Sequence, residues 1–192
     1  MTRQLREKLK KKGSGVPQRV RVLLEGPYGV PAKLETFSNI LFIAGGSGIT
    51  AILPYIRSIA DRNKQSNVVA IPNARLIWIA KKEGFVRDVL TRGLRSTLSS
   101  SPAHLQAEYY IPEDANTGSG ESGNSENDGG EFQYGKPDFD ALIRKALLET
   151  TDRLAVFVCG PPAMADSIRT LVTILSHQEG NRLELFEELF GW

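Results

Sequence analysis

The chain is poor in sulfur and histidine and has no long apolar run. Its single cysteine, Cys159, excludes an internal disulfide framework. Only two histidines occur, His104 and His177, and neither stands at metal-ligand spacing, so no metal site is read. Neither pairs with Cys159 in sequence, which argues against a thiolate nucleophile. There is no Asn-x-Ser/Thr sequon. No stretch approaches the roughly 20 apolar residues needed to span a bilayer. The start is charged rather than apolar, which predicts no secretory leader. On these grounds the chain reads as soluble and cytoplasmic, in a reducing compartment.

What is present is a charge asymmetry and an alternation of elements. The net charge is +2. Met1–Arg21 carries eight Lys/Arg against one acid, Glu7, while the remainder holds 16 basic and 21 acidic residues. Few aromatics interleave with the basic segment, so nucleic acid is not read as a partner. The stretch 113–131 holds six acids and no base, the rest being Gly, Ser, Asn, Thr and one Ala. It buries too little apolar surface to offset ordering entropy and is expected to be a loop outside the fold.

The basic segment Thr2–Lys12 reads as a short helix, broken by Gly13-Ser14-Gly15 and followed by a strand near Val20–Leu24. Five strands then follow in alternation with helices. The strands are Ile40–Ala44, Arg75–Lys81, Leu105–Ile111, Leu154–Cys159 and Arg182–Phe186. Their near-continuous apolar character suits strands buried on both faces. The helices are Ile49–Asn63, Phe85–Leu98, Phe139–Leu148 and Pro161–Ser176, each with apolar residues on one stripe. The expectation is a doubly wound α/β fold of Rossmann-like type, a five-stranded parallel sheet in the order 3-2-1-4-5.

In such a sheet ligands sit beyond the carboxyl ends of the strands, where the strand order reverses. Two Gly-rich turns converge there. Gly45-Gly46-Ser47-Gly48-Ile49-Thr50 joins the first strand to a helix, with the G-x-G-x-x-A spacing of a dinucleotide fingerprint from Gly46 to Ala51. Unpaired N–H groups at that helix start point at an anion. Cys159-Gly160-Pro161-Pro162 ends the fourth strand. The second strand ends in Lys81-Lys82, where an acid would bind the ribose 2′-OH of NAD; lysines suit the 2′-phosphate of NADP instead.

These motifs, with Gly26-Pro27-Tyr28-Gly29 before them and Glu188-Leu189-Phe190-Gly191-Trp192 after them, resemble the ferredoxin–NADP reductase superfamily in order and spacing. The ending looks most like that of fungal ferric-chelate reductases, relatives of NADPH oxidases. Two positions depart from the pattern. Ala51 stands where the family commonly has Pro, and Leu189 where it commonly has Ser.

The resemblance implies NADPH on the Gly45–Thr50 turn, with Cys159, Gly160, Pro161 and Pro162 beside its nicotinamide. It implies FAD at Gly26–Gly29, and Glu188-x-Phe190 at the flavin face, with Trp192 as a rival for the covering ring. It further implies a place on the cytoplasmic side of a membrane in the full-length family, with electron flow from NADPH through FAD onward to haem and ferric iron. The flavin barrel and haem helices would belong to a partner domain or subunit. Residues 1–33 then read as the end of that barrel plus a linker, and 34–192 as the NAD(P)-binding domain. The Arg-x-Tyr/Phe-Ser/Thr motif that grips FAD in the family does not occur, so the chain is expected to be an incomplete reductase. Alternatives are an NADPH-binding module without turnover and an NADPH oxidase-type superoxide producer. A short-chain dehydrogenase is disfavoured, because no Tyr-x-x-x-Lys pair occurs.

Overall fold

A computed structural model describes residues 21, 31–63, 72–99, 104–112, 131–180 and 182–188. The chain separates into two compact units, Met1–Pro31 and Ala32–Trp192. The basic helix expected at Thr2–Lys12, the strand near Val20–Leu24, the Gly26–Gly29 turn and the terminal Phe190 and Trp192 lie outside the described residues. So does the acidic stretch, apart from Glu131.

The second unit is built on β1 (Asn39–Gly45), β2 (Asn73–Ile79), β3 (Leu105–Ile111), β4 (Glu131–Tyr134), β5 (Leu154–Cys159) and β6 (Leu183–Glu188). All neighbours are parallel, in the order β4-β3-β2-β1-β5-β6. The five expected strands keep their expected order, and β4 is added beyond β3. Glu131–Tyr134 is therefore a strand, and Glu131 belongs to the sheet rather than to an excluded acidic loop. Four residues against an acidic, Gly-rich flank offer no periodicity to read. What makes the strand is pairing to β3, where Tyr109 opposes Phe132 and Ile111 opposes Tyr134.

The apolar strands divide their side chains between two cores. On β1, Ile40, Phe42 and Ala44 join one cluster and Leu41 and Ile43 the other. The first cluster takes in Ile52, Ile56 and Ile59 of α1 (Ile49–Asn63). It also holds Val86 of α2 (Glu83–Val89) and Leu98 of α3 (Arg95–Ser99). The second takes in Ile143 of α4 (Phe139–Leu148) and Ile168, Val172 and Leu175 of α5 (Pro162–Gln178). A strand buried on both faces must be apolar at every position, which is why β1 and β5 lack alternation.

Two expectations are corrected in detail. The helix read over Phe85–Leu98 is two helices joined by a wider turn at Leu90–Leu94, where Gly93 takes φ +127°. A side chain there is strained, so the glycine ends one helix and lets the next begin. The last strand reaches Glu188 rather than stopping at Phe186, so Glu188 is a strand residue paired with Cys159. Among the described residues no helix is long and apolar enough to cross a membrane.

The central strands should dominate stability. Ile77 is fully buried on β2, whereas Leu148 at the end of α4 is 88% exposed. Ile77→Ala should cost about 2–5 kcal/mol. Leu148→Ala should stay within about 0.5 kcal/mol. Urea unfolding midpoints of the two variants check the contrast.

Candidate functional site

Parallel pairing aligns the strand ends. Ala44 sits opposite both Trp78 and Cys159, Gly45 opposite Ile79, and Cys159 opposite Glu188. The chain runs from β1 outward to β2, β3 and β4 on one side, and β5 and β6 lie on the other. The crevice at the carboxyl ends of β1 and β5 is therefore the point where strand order reverses.

The two turns at this crevice are in direct contact. A Cβ on Gly48 would stand 2.1 Å from the Cys159 carbonyl oxygen, and one on Gly45 would stand 2.5 Å from Pro161 Cδ and 3.2 Å from Gly160 Cα. Only hydrogen fits at these positions. The turn is also pinned from below. The fully buried Trp78 donates from Nε1 to the Gly46 carbonyl at 2.9 Å, and Thr50 donates from Oγ1 to the Ser47 carbonyl at 2.8 Å. Trp78 is itself wedged edge-on between Phe85 and Tyr109.

From this junction opens a cleft of about 850 Å³. Gly45, Gly46, Ser47 and Gly48 line it from one turn, and Cys159, Gly160, Pro161 and Pro162 from the other. Lys81 and Lys82 line it from the end of β2. Both α1 and α5 begin at its edge, so the positive ends of two helices face it. Of the residues expected at the site, Ile49 is buried in the core beneath the turn and Thr50 closes the turn. Neither lines the cleft. Glu188 stands beside Cys159 in the sheet without lining it.

Several wall residues escaped the sequence reading. Phe85, 40% exposed, is the first exposed ring after the lysines. Lys136, Pro137 and Phe139 enter from the β4–α4 connection, and Met164 from α5. Gly135-Lys136-Pro137 is a turn signal. Without β4 to its left, however, nothing in the sequence said which end of the sheet it reached.

Residues 37–173 match the ferric reductase NAD binding domain family, which is most of the described fold. The chain belongs to this family.

This ferric reductase NAD-binding domain is similar to a probable ferric reductase transmembrane component of Candida albicans, 26% identical over 205 residues. That match covers 90% of this chain and 29% of the other. It is also similar to respiratory burst oxidase homolog protein B of Solanum tuberosum, 20% identical over 206 residues, covering 91% and 24% respectively. The chain thus spans between about a quarter and three tenths of these relatives' length. Among solved structures, the ferredoxin-NADP+ reductase from Plasmodium falciparum has the same fold, with TM-score 0.50 and 11% identity. That likeness covers 86% of this chain and 59% of that one.

A phosphate-bearing dinucleotide fits the NAD-binding domain's cleft. The glycine turns leave backbone open to a pyrophosphate, and the lysines supply charge at one end. For FAD, the residues assigned to it (Gly26, Pro27, Tyr28, Gly29, Phe190 and Trp192) lie outside the described residues.

Cys159 is 1% exposed. Burial, and then the charge of Glu188, push its thiol up to about 11. At neutral pH it is a small, uncharged, apolar wall, not a nucleophile. Alkylation by iodoacetamide at pH 8 should run about a hundredfold slower than for a free thiol and recover on unfolding. The folded state favours the protonated thiol. Its contribution to stability is therefore complete below the ordinary thiol value and declines as pH rises toward about 11. Gly48→Ala, forced against the Cys159 carbonyl, should cost about 1–3 kcal/mol. A thermal melt of the variant tests the contact.

Proposed function

We propose that this domain binds NADPH across the carboxyl ends of its sheet and serves as the pyridine-nucleotide half of a flavin-dependent ferric-chelate reductase. The reading rests above all on one observation. Two Gly-rich turns, distant in sequence, are locked together at the point of strand reversal, and both open onto one cleft. Membership of the ferric reductase NAD-binding family supports the same assignment.

Each residue then has a task. The backbone of Gly45–Gly48 and the start of α1 receive the pyrophosphate. Lys81 and Lys82 take the 2′-phosphate at the β2 side. The nicotinamide goes to the β5 side, where Cys159, Gly160 and Pro161 form a wall that excludes water. Glu188, opposite Cys159 on β6, would support the nicotinamide pocket from behind that wall, its carboxylate favouring the cationic, oxidised form of the ring. Phe190 would cover the flavin face, with Trp192 as its rival for that role. Hydride transfer needs the reacting carbons about 3–3.5 Å apart, so the rigidity of the Cys159–Pro162 turn matters to rate more than to affinity.

Nicotinamide gives two electrons as hydride while ferric iron accepts one at a time, so FAD, when bound between them, supplies the conversion. Residues 1–33 are assigned to the end of the barrel that holds it. With this domain on the cytoplasmic side of a membrane, haem-bearing membrane domains and then ferric iron complete the proposed route. The respiratory burst oxidase relative favours a second reading, in which oxygen takes the electrons.

Three measurements test this. Titration of the chain should show NADPH binding tighter than NADH, and Lys81→Ala/Lys82→Ala should weaken NADPH about tenfold while leaving NADH nearly unchanged. Equal loss for both coenzymes removes the lysines from the 2′-phosphate. In the full-length reductase, Cys159→Ala should slow flavin reduction in stopped flow by more than it weakens NADPH binding. Unchanged hydride-transfer rates remove Cys159 from the nicotinamide side. Ferric reduction against superoxide formation by the same preparation separates the two acceptors.

A further inference from the structure

The turn after β2 carries an acid at the wrong place for NADP. Glu83 follows Lys81 and Lys82 directly. A carboxylate in this turn accepts the ribose 2′-OH of NAD and repels a 2′-phosphate. Yet Lys81, Lys82 and Phe85 line the cleft, and Glu83 between them does not.

Both oxygens of Glu83 are engaged elsewhere. Oε1 accepts from Arg87 Nε at 2.7 Å and lies 2.7 Å from Nη2. Oε2 accepts from the Tyr134 hydroxyl at 3.0 Å. The Arg87 guanidinium lies over the Phe132 ring, 4.7 Å from its centroid. Phe132 and Tyr134 are two apart on β4, so they share one face of that strand. This short edge strand is thus clamped to α2 by the same groups that hold Glu83. The hydrogen bond to Glu83 also raises the Tyr134 pKa, as expected for a phenol that donates to a carboxylate. Gly135-Lys136-Pro137 follows immediately and brings Lys136 into the lining of the same cleft as Lys81 and Lys82.

We propose that the Tyr134–Glu83–Arg87 clamp sets coenzyme preference. Tyr134 and Arg87 are positioning residues that hold the Glu83 carboxylate away from the ribose 2′ position. The same contacts hold the strand that delivers Lys136 to the cleft lined by Lys81 and Lys82. The proposal rests on the NADPH reading and extends it. The clamp hides the negative charge of the turn and leaves its lysines on display. Loss of the Tyr134 hydroxyl leaves Glu83 Oε2 without that donor, so the Arg87 pair on Oε1 alone must hold the carboxylate away from the ribose 2′ position.

The test is calorimetric titration of the full chain with NADP+ and with NAD+. Wild type should prefer NADP+. Tyr134→Phe removes one hydroxyl from a half-exposed side chain, so the fold is kept. It should reduce the NADP+ to NAD+ affinity ratio about fivefold, mostly through weaker NADP+ binding. The double variant Tyr134→Phe/Glu83→Gln should recover most of the ratio, because a neutral amide does not repel phosphate. A purely structural role for Tyr134 would weaken both coenzymes alike and would not be rescued by Glu83→Gln. An unchanged ratio in Tyr134→Phe, or an unrescued loss of both coenzymes, overturns the clamp alone. Wild type that binds neither dinucleotide overturns the NADPH reading, and the clamp with it, before any variant is measured.

Discussion

The contact between Gly48 and the Cys159 carbonyl, with Gly45 against Gly160 beside it, is the constraint on which the rest of the site depends. Two strand ends in register leave their following turns about one strand spacing apart. At that separation a methyl group on either turn collides with the backbone of the other. Glycine at these positions lets the turns lock, and the lock fixes where α1 and α5 begin. Both locked turns line the cleft.

The lock needs a rigid base, and the core supplies it. β1 and β5 are buried on both faces, and Trp78 reaches across from β2 to hold the Gly46 carbonyl. An indole N–H in a dry core must find an acceptor. Here it takes the one carbonyl whose position decides the shape of the turn. The packing of Trp78 against Phe85 and Tyr109 carries that constraint outward to the β2–α2 turn, where Lys81 and Lys82 stand. Core and site are one structure in this half of the cleft.

The other half is held differently. The wall that bears Lys136 hangs from the four residues of β4, an edge strand with few ladder bonds. Its position is secured by side chains: the Tyr134–Glu83 hydrogen bond, the Arg87–Glu83 pair and the cation over Phe132. Exposed pairs of this kind are each worth little. Two of them reach one face of a short strand, and the Arg87–Glu83 pair ties them together. The β5 side is therefore set by backbone contact, which suits a ring that must meet a reacting partner. The β4 side is set by charge and hydrogen bonding, which suits recognition of a phosphate.

Much of this was legible in the sequence, for a local reason. α1, β3, α4 and β5 have the bounds that apolar periodicity indicated, because each owes its existence to its own pattern of buried residues. The two Gly-rich turns were legible because a phosphate turn demands particular residue types at fixed spacing. What only the tertiary structure decided depends on partners far along the chain. β4 becomes a strand because β3 is there to pair with it. Glu188 joins β6 because Cys159 lies opposite. Ile49 and Thr50, though inside the motif, turn into the core and the turn, while Phe85 and Lys136 form the wall. Glu83 shows the point most sharply. In sequence it is one more charge beside two lysines, and its orientation away from them is set by a tyrosine 51 residues later. Sequence pattern encodes which face of an element is apolar; which way a polar side chain points is decided by the partner that folding brings within hydrogen-bond reach.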